Sequence, residues 1–229
     1  MARLFTIGLR MTDDTGRSDT NSAPHATAAW TFFRQWLKNP RAMAAFSPSS
    51  RKLARQMIAQ LPTGTQRVIE LGAGTGVFTR ALLEHGIAEK NLLVIELNKD
   101  LARLLQKLFP ASHVIHGDAC DLSRIVAQTG FAGAERVDAV ISGLGFLAMP
   151  RALQRDILEA AFSVLGAHGP LVQFTYGPAS PLPRELIDEL GLGVRRAGRA
   201  WLNVPPATVY VYTRNRSTAV RAMRAGNHS

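Results

Sequence analysis

Several things are scarce in this chain, and each scarcity narrows what it can be. Its 229 residues include one cysteine, Cys120, so neither an internal disulfide framework nor a cysteine-held zinc cluster can be built. No metal site is expected. No apolar run approaches the ~18 residues of a membrane-crossing helix. The opening residues 1–11 have neither a long apolar stretch nor a small-residue cleavage site, so no secretory signal is read there. Acidic side chains are missing from two long stretches. Residues 20–66 hold Arg34, Lys38, Arg41, Arg51, Lys52 and Arg55 with no Asp or Glu; residues 191–229 hold seven arginines, again with none. The centre is slightly acidic, and the whole carries a formal charge of +10. Basic ends around an acidic middle suit a polyanionic partner, either nucleic acid or anionic lipid; a merely solubilising surface is the plain alternative. The hydrophobic fraction of 46% is enough for a core, and the length fits one domain with a terminal extension.

The chain divides into four stretches. Residues 1–24 include the polar run TDDTGRSDTNSAP and read as a disordered leader. Residues 25–61 read as helical. From His25 to Asn39 the residues Ala26, Ala29, Trp30, Phe33, Trp36 and Leu37 recur at helical spacing, opposite Thr31, Arg34, Gln35 and Lys38. Pro40 ends that helix, and Ser47-Pro48-Ser49-Ser50 offers a start for a second one. Residues 62–215 alternate strand and helix, with strands expected near 67–71, 91–96, 113–116, 137–142, 170–175, 193–202 and 207–213. This is an α/β pattern: a mostly parallel seven-stranded sheet with helices on both faces. The last two strands lack a helix between them, which predicts one antiparallel strand at the sheet end. Residues 216–229 read as a flexible basic tail.

The strongest local signal is Val68-Ile69-Glu70-Leu71-Gly72-Ala73-Gly74-Thr75-Gly76. A buried strand runs into three glycines at alternate positions and then into a helix. Glycines there let the backbone turn sharply and approach a ligand, at the carboxyl end of the first strand, where open parallel sheets bind ligands. The spacing is G-x-G-x-G. The pyrophosphate fingerprint G-x-G-x-x-G would need glycine at Val77, so a dinucleotide is disfavoured.

With these residues the chain resembles the class I S-adenosylmethionine-dependent methyltransferases, whose fold is Rossmann-like. The resemblance implies S-adenosylmethionine as cofactor, with S-adenosylhomocysteine as product. It implies that Glu70, Gly72, Ala73, Gly74 and Gly76 shape the cofactor loop. Glu96, at the end of LLVIEL and followed by Leu97, would accept from the ribose hydroxyls, as a carboxylate can. Asp118, followed by Ala119, would meet the adenine amino group, and Ser142 would end the fourth strand beside the methyl donor.

The acceptor is read from what lines the site. Cytosine C5 methylation needs a nucleophilic cysteine, and Cys120 follows the adenine-contacting segment instead. The Asn-x-Pro-aromatic loop of adenine N6 methylation is absent. In its place stands the apolar Ser142-Gly143-Leu144-Gly145-Phe146-Leu147. A broader resemblance, over about residues 28–213, is to the bacterial phospholipid N-methyltransferases. It rests on the aromatic-basic segment WTFFRQWL, the segment N-P-R-A…S-P-S-S-R-K-L-A-R at 39–55, the apolar loop, and Gln173-Phe174-Thr175-Tyr176-Gly177. It implies stepwise methylation of phosphatidylethanolamine toward phosphatidylcholine by a cytoplasmic enzyme held peripherally at the inner face of the membrane. Trp30, Phe33, Arg34, Trp36, Leu37 and Lys38 then belong to an interfacial, membrane-binding helix.

Tyr176 is the candidate catalytic residue, orienting the amine with its hydroxyl and favouring the methylated cation with its ring. Phe146 is expected to line the acceptor site. Ser47, Ser49, Arg51, Lys52, Arg195, Arg196 and Arg199 are candidates for the lipid phosphate. His116 and His168 are candidate bases, with water as the alternative. Two other readings stay open: an RNA methyltransferase of the rRNA adenine dimethylase kind, favoured by the basic ends, and a binding protein that keeps the fold without catalysis.

Overall fold

The computed structural model describes residues 48–132, 136–176, 179–200 and 206–215. The expected leader, the aromatic-basic helix at 25–39 and the basic tail lie outside the described residues.

Seven strands form one sheet in the order β3-β2-β1-β4-β5-β7-β6. They are β1 (Val68–Leu71), β2 (Leu92–Glu96), β3 (His113–His116), β4 (Ala139–Ser142), β5 (Leu171–Thr175), β6 (Leu192–Ala200) and β7 (Ala207–Arg214). β1 to β5 run parallel, while β7 runs antiparallel to both β5 and β6. The expected single antiparallel strand is thus present. It is not the edge strand: β7 slots between β5 and β6, and β6 forms the edge.

Each inner strand is apolar on both sides because both sides are covered. Val68, Leu92 and Val94 face one core cluster; Ile69, Leu71, Leu93 and Ile95 alternate into the other. The first face is covered by α1 (Pro48–Ile58), α2 (Val77–Glu84) and α3 (Lys99–Leu108), through Leu53, Met57, Leu82, Leu105 and others. The second is covered by α4 (Leu122–Thr129), α5 (Arg151–Val164) and α6 (Arg184–Glu189), through Leu122, Ile125, Ile157, Leu158 and Leu186. Fully burying each such side chain contributes about 1.5–3 kcal/mol, so the unbroken apolar strand runs and the three- and four-residue spacing of the helices together fix the layers.

Local signals set the helix ends. Asn98 caps α3, its side chain accepting from the backbone N–H groups of Asp100 and Leu101, a cap that contributes ~1 kcal/mol. Pro48 opens α1 at the position where its missing N–H costs nothing. α4 is a helix where the sequence reading has none. Its Ser, Ile, Val and Thr are mediocre helix formers, but Leu122, Ile125 and Val126 bury together and Gly130 closes it at φ +63°.

Candidate active site at the carboxyl edge of the sheet

The strand registers bring Leu71, Ile95 and Ser142 level, with Glu96 beside His116 and Ser142 beside Gln173. The carboxyl ends of five parallel strands therefore open on one edge. Strand order reverses between β1 and β4, the switch point where open α/β sheets form a crevice.

The loop after β1 is built by glycine at three left-handed positions, Gly72 (φ +69°), Gly74 (φ +57°) and Gly76 (φ +83°). A side chain at Gly76 would also meet the ring of Phe109 at 2.7 Å. Across the loop stands the buried carboxylate of Glu96. One oxygen accepts the N–H of Gly74 at 2.8 Å, the other the N–H of Asn98 at 2.8 Å. Glu96 thus joins the loop after β1 to the turn after β2. Ala73 is buried within the same loop.

Glu70 lies beneath this loop, fully buried. Its Oε2 accepts the Thr79 hydroxyl at 2.6 Å, and Oε1 has no partner among the described residues. Burial, slightly reinforced by the charge of Glu96, lifts its carboxyl from 4.5 to about 7, against the opposing pull of Thr79. The residues expected beside the adenine sit at the β2 and β3 ends. Leu97 is 66% exposed, an unusual position for a leucine and a ready apolar surface for a flat ring. Asp118 caps the turn that carries buried Ala119, its Oδ1 accepting the Cys120 N–H at 2.9 Å. Burial and the neighbouring Asp118 push the Cys120 thiol up to about 11, which leaves it without the thiolate a nucleophile needs.

These residues fit S-adenosylmethionine. A carboxylate, a loop with glycine at alternate positions and an exposed apolar side chain meet at this edge of the sheet, and Glu70 leaves a buried oxygen without a partner among the described residues.

On the other side of the switch point, residues 143–148 form an apolar wall. Gly143 N–H donates to Leu71 O at 2.8 Å. The Gly143 backbone passes so close to the glycine loop that a Cβ there would sit 2.5 Å from Gly72 O. Ser142 is buried, and its Oγ accepts from Leu144 N–H at 3.3 Å. Two buried glutamines, absent from the sequence-based candidates, hold this wall. Gln173 Nε2 donates to Leu144 O at 2.8 Å, and Gln154 Nε2 donates to Phe146 O at 2.7 Å. A polar residue inside the apolar strand LVQFT was the signal for the first.

The wall encloses a cleft of about 50 Å³ with Leu144, Phe146, Leu147, Phe174, Tyr176 and Pro181 around it. That is small beside the ~300–1,000 Å³ of an ordinary ligand pocket, so it admits the tip of a molecule. Phe146 is 1% exposed and braces the wall from behind. Tyr176 stands edge-on to Phe174 at 5.4 Å, and Phe174 tilts against Phe78 of α2 at 5.8 Å. Burial raises the Tyr176 phenol, so it stays protonated and able to donate.

The remaining candidates do not converge. Arg51 and Lys52 are exposed on the first turns of α1, where Ser49 also lies, and Ser47 falls outside the described residues. Arg195 reaches back to Gln60 Oε1 at 3.1 Å, and Arg196, next on the strand, projects to the other face. Register pairs Arg199 with Thr208 and Thr208 with Thr175, at the crevice edge. Arg195 pairs with Val211 and so with Val172, set back along the sheet. Neither histidine suits a base near the cleft. His116 ends the edge strand β3 and contacts Leu97 O at 3.0 Å, three strands from β4. His168 lines a larger concavity of about 590 Å³ at the opposite, amino-terminal edge, beside Arg67 and Asp138.

Comparison with known proteins adds the following. An ornithine lipid N-methyltransferase of Singulisphaera acidiphila is 33% identical over 185 residues, covering 78% of this chain and 92% of that protein. The family model for ribosomal RNA adenine dimethylase matches residues 49–128. A ribosomal RNA small subunit methyltransferase A of Synechococcus is 36% identical over 93 residues, 38% of this chain and 29% of that protein. Among solved structures, a 1,6-didemethyltoxoflavin-N1-methyltransferase of Burkholderia thailandensis superposes with a TM-score of 0.58 at 15% identity, covering 86% of this chain and 93% of that one. A TehB-like S-adenosylmethionine-dependent methyltransferase of Corynebacterium glutamicum superposes at 0.54 with 18% identity, covering 82% and 99%. The structural likenesses establish the fold.

Proposed function

The chain belongs to the class I S-adenosylmethionine-dependent methyltransferases, in one family with an ornithine lipid N-methyltransferase, and we propose that it methylates the primary amine of a membrane lipid, phosphatidylethanolamine first and stepwise toward phosphatidylcholine. The observation that carries this reading is the small apolar cleft between the loop after β4 and the aromatic end of β5. It has aromatic and aliphatic walls suited to an amine and its methyl groups. A flipped nucleobase would need a wider slot and edge-reading polar groups.

When bound, S-adenosylmethionine would supply a methyl group carried on its sulfonium sulfur. Gly72, Ala73, Gly74 and Gly76 would admit it to the backbone, Glu96 would accept from its ribose, and Leu97, Asp118 and Ala119 would flank its adenine. Glu70 and Ser142 would support the donor end. The protein's task is then to bring the acceptor nitrogen into line and to keep water out. The acceptor nitrogen so held would take that methyl with its lone pair, the C–S electron pair leaving on sulfur. The proton released from nitrogen passes to water, since among the described residues the cleft is lined by no histidine. Tyr176 orients the amine, and its ring stabilises the cation that forms.

Arg51 and Lys52, exposed on α1, and Arg199, whose backbone pairs with Thr208, remain the candidates for a headgroup phosphate. Trp30, Phe33, Arg34, Trp36, Leu37 and Lys38 would dock the protein on an anionic bilayer as an interfacial helix. No helix among the described residues is long and apolar enough to cross a membrane. The match to the ribosomal RNA adenine dimethylase family model spans residues 49–128 and stops before β4, so it covers the cofactor half without the acceptor half.

The test is a radiolabelled methyl-transfer assay. Vesicles of phosphatidylethanolamine with an anionic lipid, vesicles carrying ornithine lipid, and total RNA are offered in parallel. Label in mono-, di- or trimethylated phosphatidylethanolamine is expected. Label in ornithine lipid alone would move the acceptor within the lipid class, and label in RNA alone would overturn the lipid reading.

A further inference from the structure

Thr175 ends β5 at the cleft just described, and it does something no cofactor contact explains. Its side chain is 4% exposed, it lines the cleft, and its hydroxyl has no hydrogen-bond partner among the described residues. Buried hydroxyls are almost always partnered, so an exception calls for a reason. The strand itself does not require a hydroxyl here: valine has the same shape and a better fit to an apolar strand. Every other wall of the cleft is carbon-rich, including Leu144, Phe146, Phe174 and Pro181. Gln173 lies two residues back, on the same face of β5, with Nε2 committed to Leu144 O and to Phe174 O. The Thr175 hydroxyl and Gln173 Oε1, both buried on this face of β5, stay unclaimed among the described residues.

We propose that Thr175 is an acceptor-selecting contact: its hydroxyl oxygen accepts an N–H of the incoming lipid amine and so distinguishes amines that still carry hydrogen from those already fully substituted. This rests on the lipid-amine reading above. A neutral primary amine has two N–H groups and a secondary amine one, so each can meet Thr175 while its lone pair faces the crevice. A neutral tertiary amine has none and is held by the aromatic side of the cleft alone. The two sides then act on different stages. Thr175 favours the first and second acceptors, and the Phe174–Tyr176 pair, edge-on at 5.4 Å, favours the more methylated, cationic forms. The quaternary product has lost every N–H and with it the contact to Thr175, which assists its release.

The test compares Thr175→Val and Thr175→Ser with the wild type on vesicles containing phosphatidylethanolamine or its N,N-dimethyl form, with cofactor affinity measured by calorimetry. Thr175→Val is expected to lower kcat/KM for the unmethylated lipid about tenfold, the scale of one hydrogen bond. The N,N-dimethyl lipid and cofactor affinity should change less than twofold, and Thr175→Ser should restore the unmethylated rate. If Thr175→Val does not fold, Thr175→Ala is read in its place. Equal losses on both lipids, or no loss on either, overturn the proposal while the lipid reading stands. A wild-type protein that methylates no lipid amine overturns both.

Discussion

The Glu96 carboxylate accepts the Gly74 N–H at 2.8 Å, so the end of β2 holds the glycine loop that follows β1. Its second oxygen holds Asn98, the residue that caps α3. One side chain thus fixes the shape of the cofactor loop and the start of a helix, beyond any contact it makes with the ribose.

Replacing Glu96 with Ala is therefore expected to weaken S-adenosylmethionine binding by 10- to 100-fold or more, since hydrogen bonds to a charged group contribute ~1.5–3 kcal/mol each. Glu96→Gln, which keeps one acceptor oxygen, should lose less. Calorimetric titration checks both, with circular dichroism confirming the fold; unchanged affinity would remove Glu96 from the site.

Gly76 and Gly86 both have positive φ, at +83° and +106°, but a Cβ at Gly76 meets Phe109 and Leu105 within 3 Å while one at Gly86 meets nothing within 4 Å. Alanine at Gly86 carries backbone strain alone, about 1–2 kcal/mol. Alanine at Gly76 adds overpacking of roughly 1–3 kcal/mol and should also impair cofactor binding. Chemical denaturation of the two variants separates the contributions; equal destabilisation would show that Phe109 and Leu105 yield freely.

Glu70 gives the fold a particular pH dependence. Its folded-state carboxyl is raised from 4.5 to about 7, so between those values the native state binds more protons than the unfolded state. Stability associated with the neutral form is complete below about 4.5 and is lost as pH rises through 7. The loss is at most roughly 3 kcal/mol by the pH-linkage relation. Glu70→Gln should abolish it, so the difference in Tm between variant and wild type should grow in the variant's favour from pH 5 to pH 8. A constant difference across that range would mean that Glu70 is ionised throughout.

Tyr176→Phe keeps the ring and removes the hydroxyl, whereas Tyr176→Ala removes both. Cation–π attraction contributes ~0.5–2 kcal/mol, so the alanine variant should lose about 2- to 30-fold more than the phenylalanine variant in methylation of the N,N-dimethyl lipid. Equal rates for the two would exclude the ring from cation stabilisation.

Trp30, Phe33 and Trp36 changed together to Ala should abolish binding to anionic vesicles in a sedimentation assay while leaving S-adenosylmethionine affinity intact, because in the reading proposed above these aromatics would supply the apolar face of an interfacial helix. Vesicle binding that survives the triple change would assign membrane contact to other surfaces, such as the exposed Arg51, Lys52 and Arg55 of α1.

Much of the fold was legible because buried parallel strands write short unbroken apolar runs into the chain, while their covering helices write apolar residues at three- and four-residue spacing. Val68–Leu71 running into three alternate glycines was readable as strand, turn and helix without any other information. So was the order of acids at Glu96 and Asp118, since each follows a strand end. α4 was not legible, because Leu122–Thr129 relies on tertiary burial of Leu122, Ile125 and Val126 more than on helix propensity. The place of β7 between β5 and β6 was hidden too: a pair of strands without a helix between them is equally compatible with either lying on the outside. In the site, the roles of Gln154, Gln173 and Thr175 were not legible: a polar residue in an apolar strand such as LVQFT hints at burial, but the sequence does not say which atoms it would hold. Only the packed structure identifies them as buried. The grouping of Arg195 with Arg196 failed for a simpler reason, the alternation of faces along a strand.

The approach of Gly143 to Gly72, where a Cβ would stand 2.5 Å from the carbonyl oxygen, has a consequence for how such an enzyme can change. In the proposed reading, donor loop and acceptor wall meet backbone to backbone, and their closest approach leaves no room for a side chain at Gly143. Residues such as Leu147 or Thr175 could then be exchanged to suit a different amine while that contact stays constant. The pair of glycines works as a fixed gauge, and acceptor preference becomes a matter of upholstery around it.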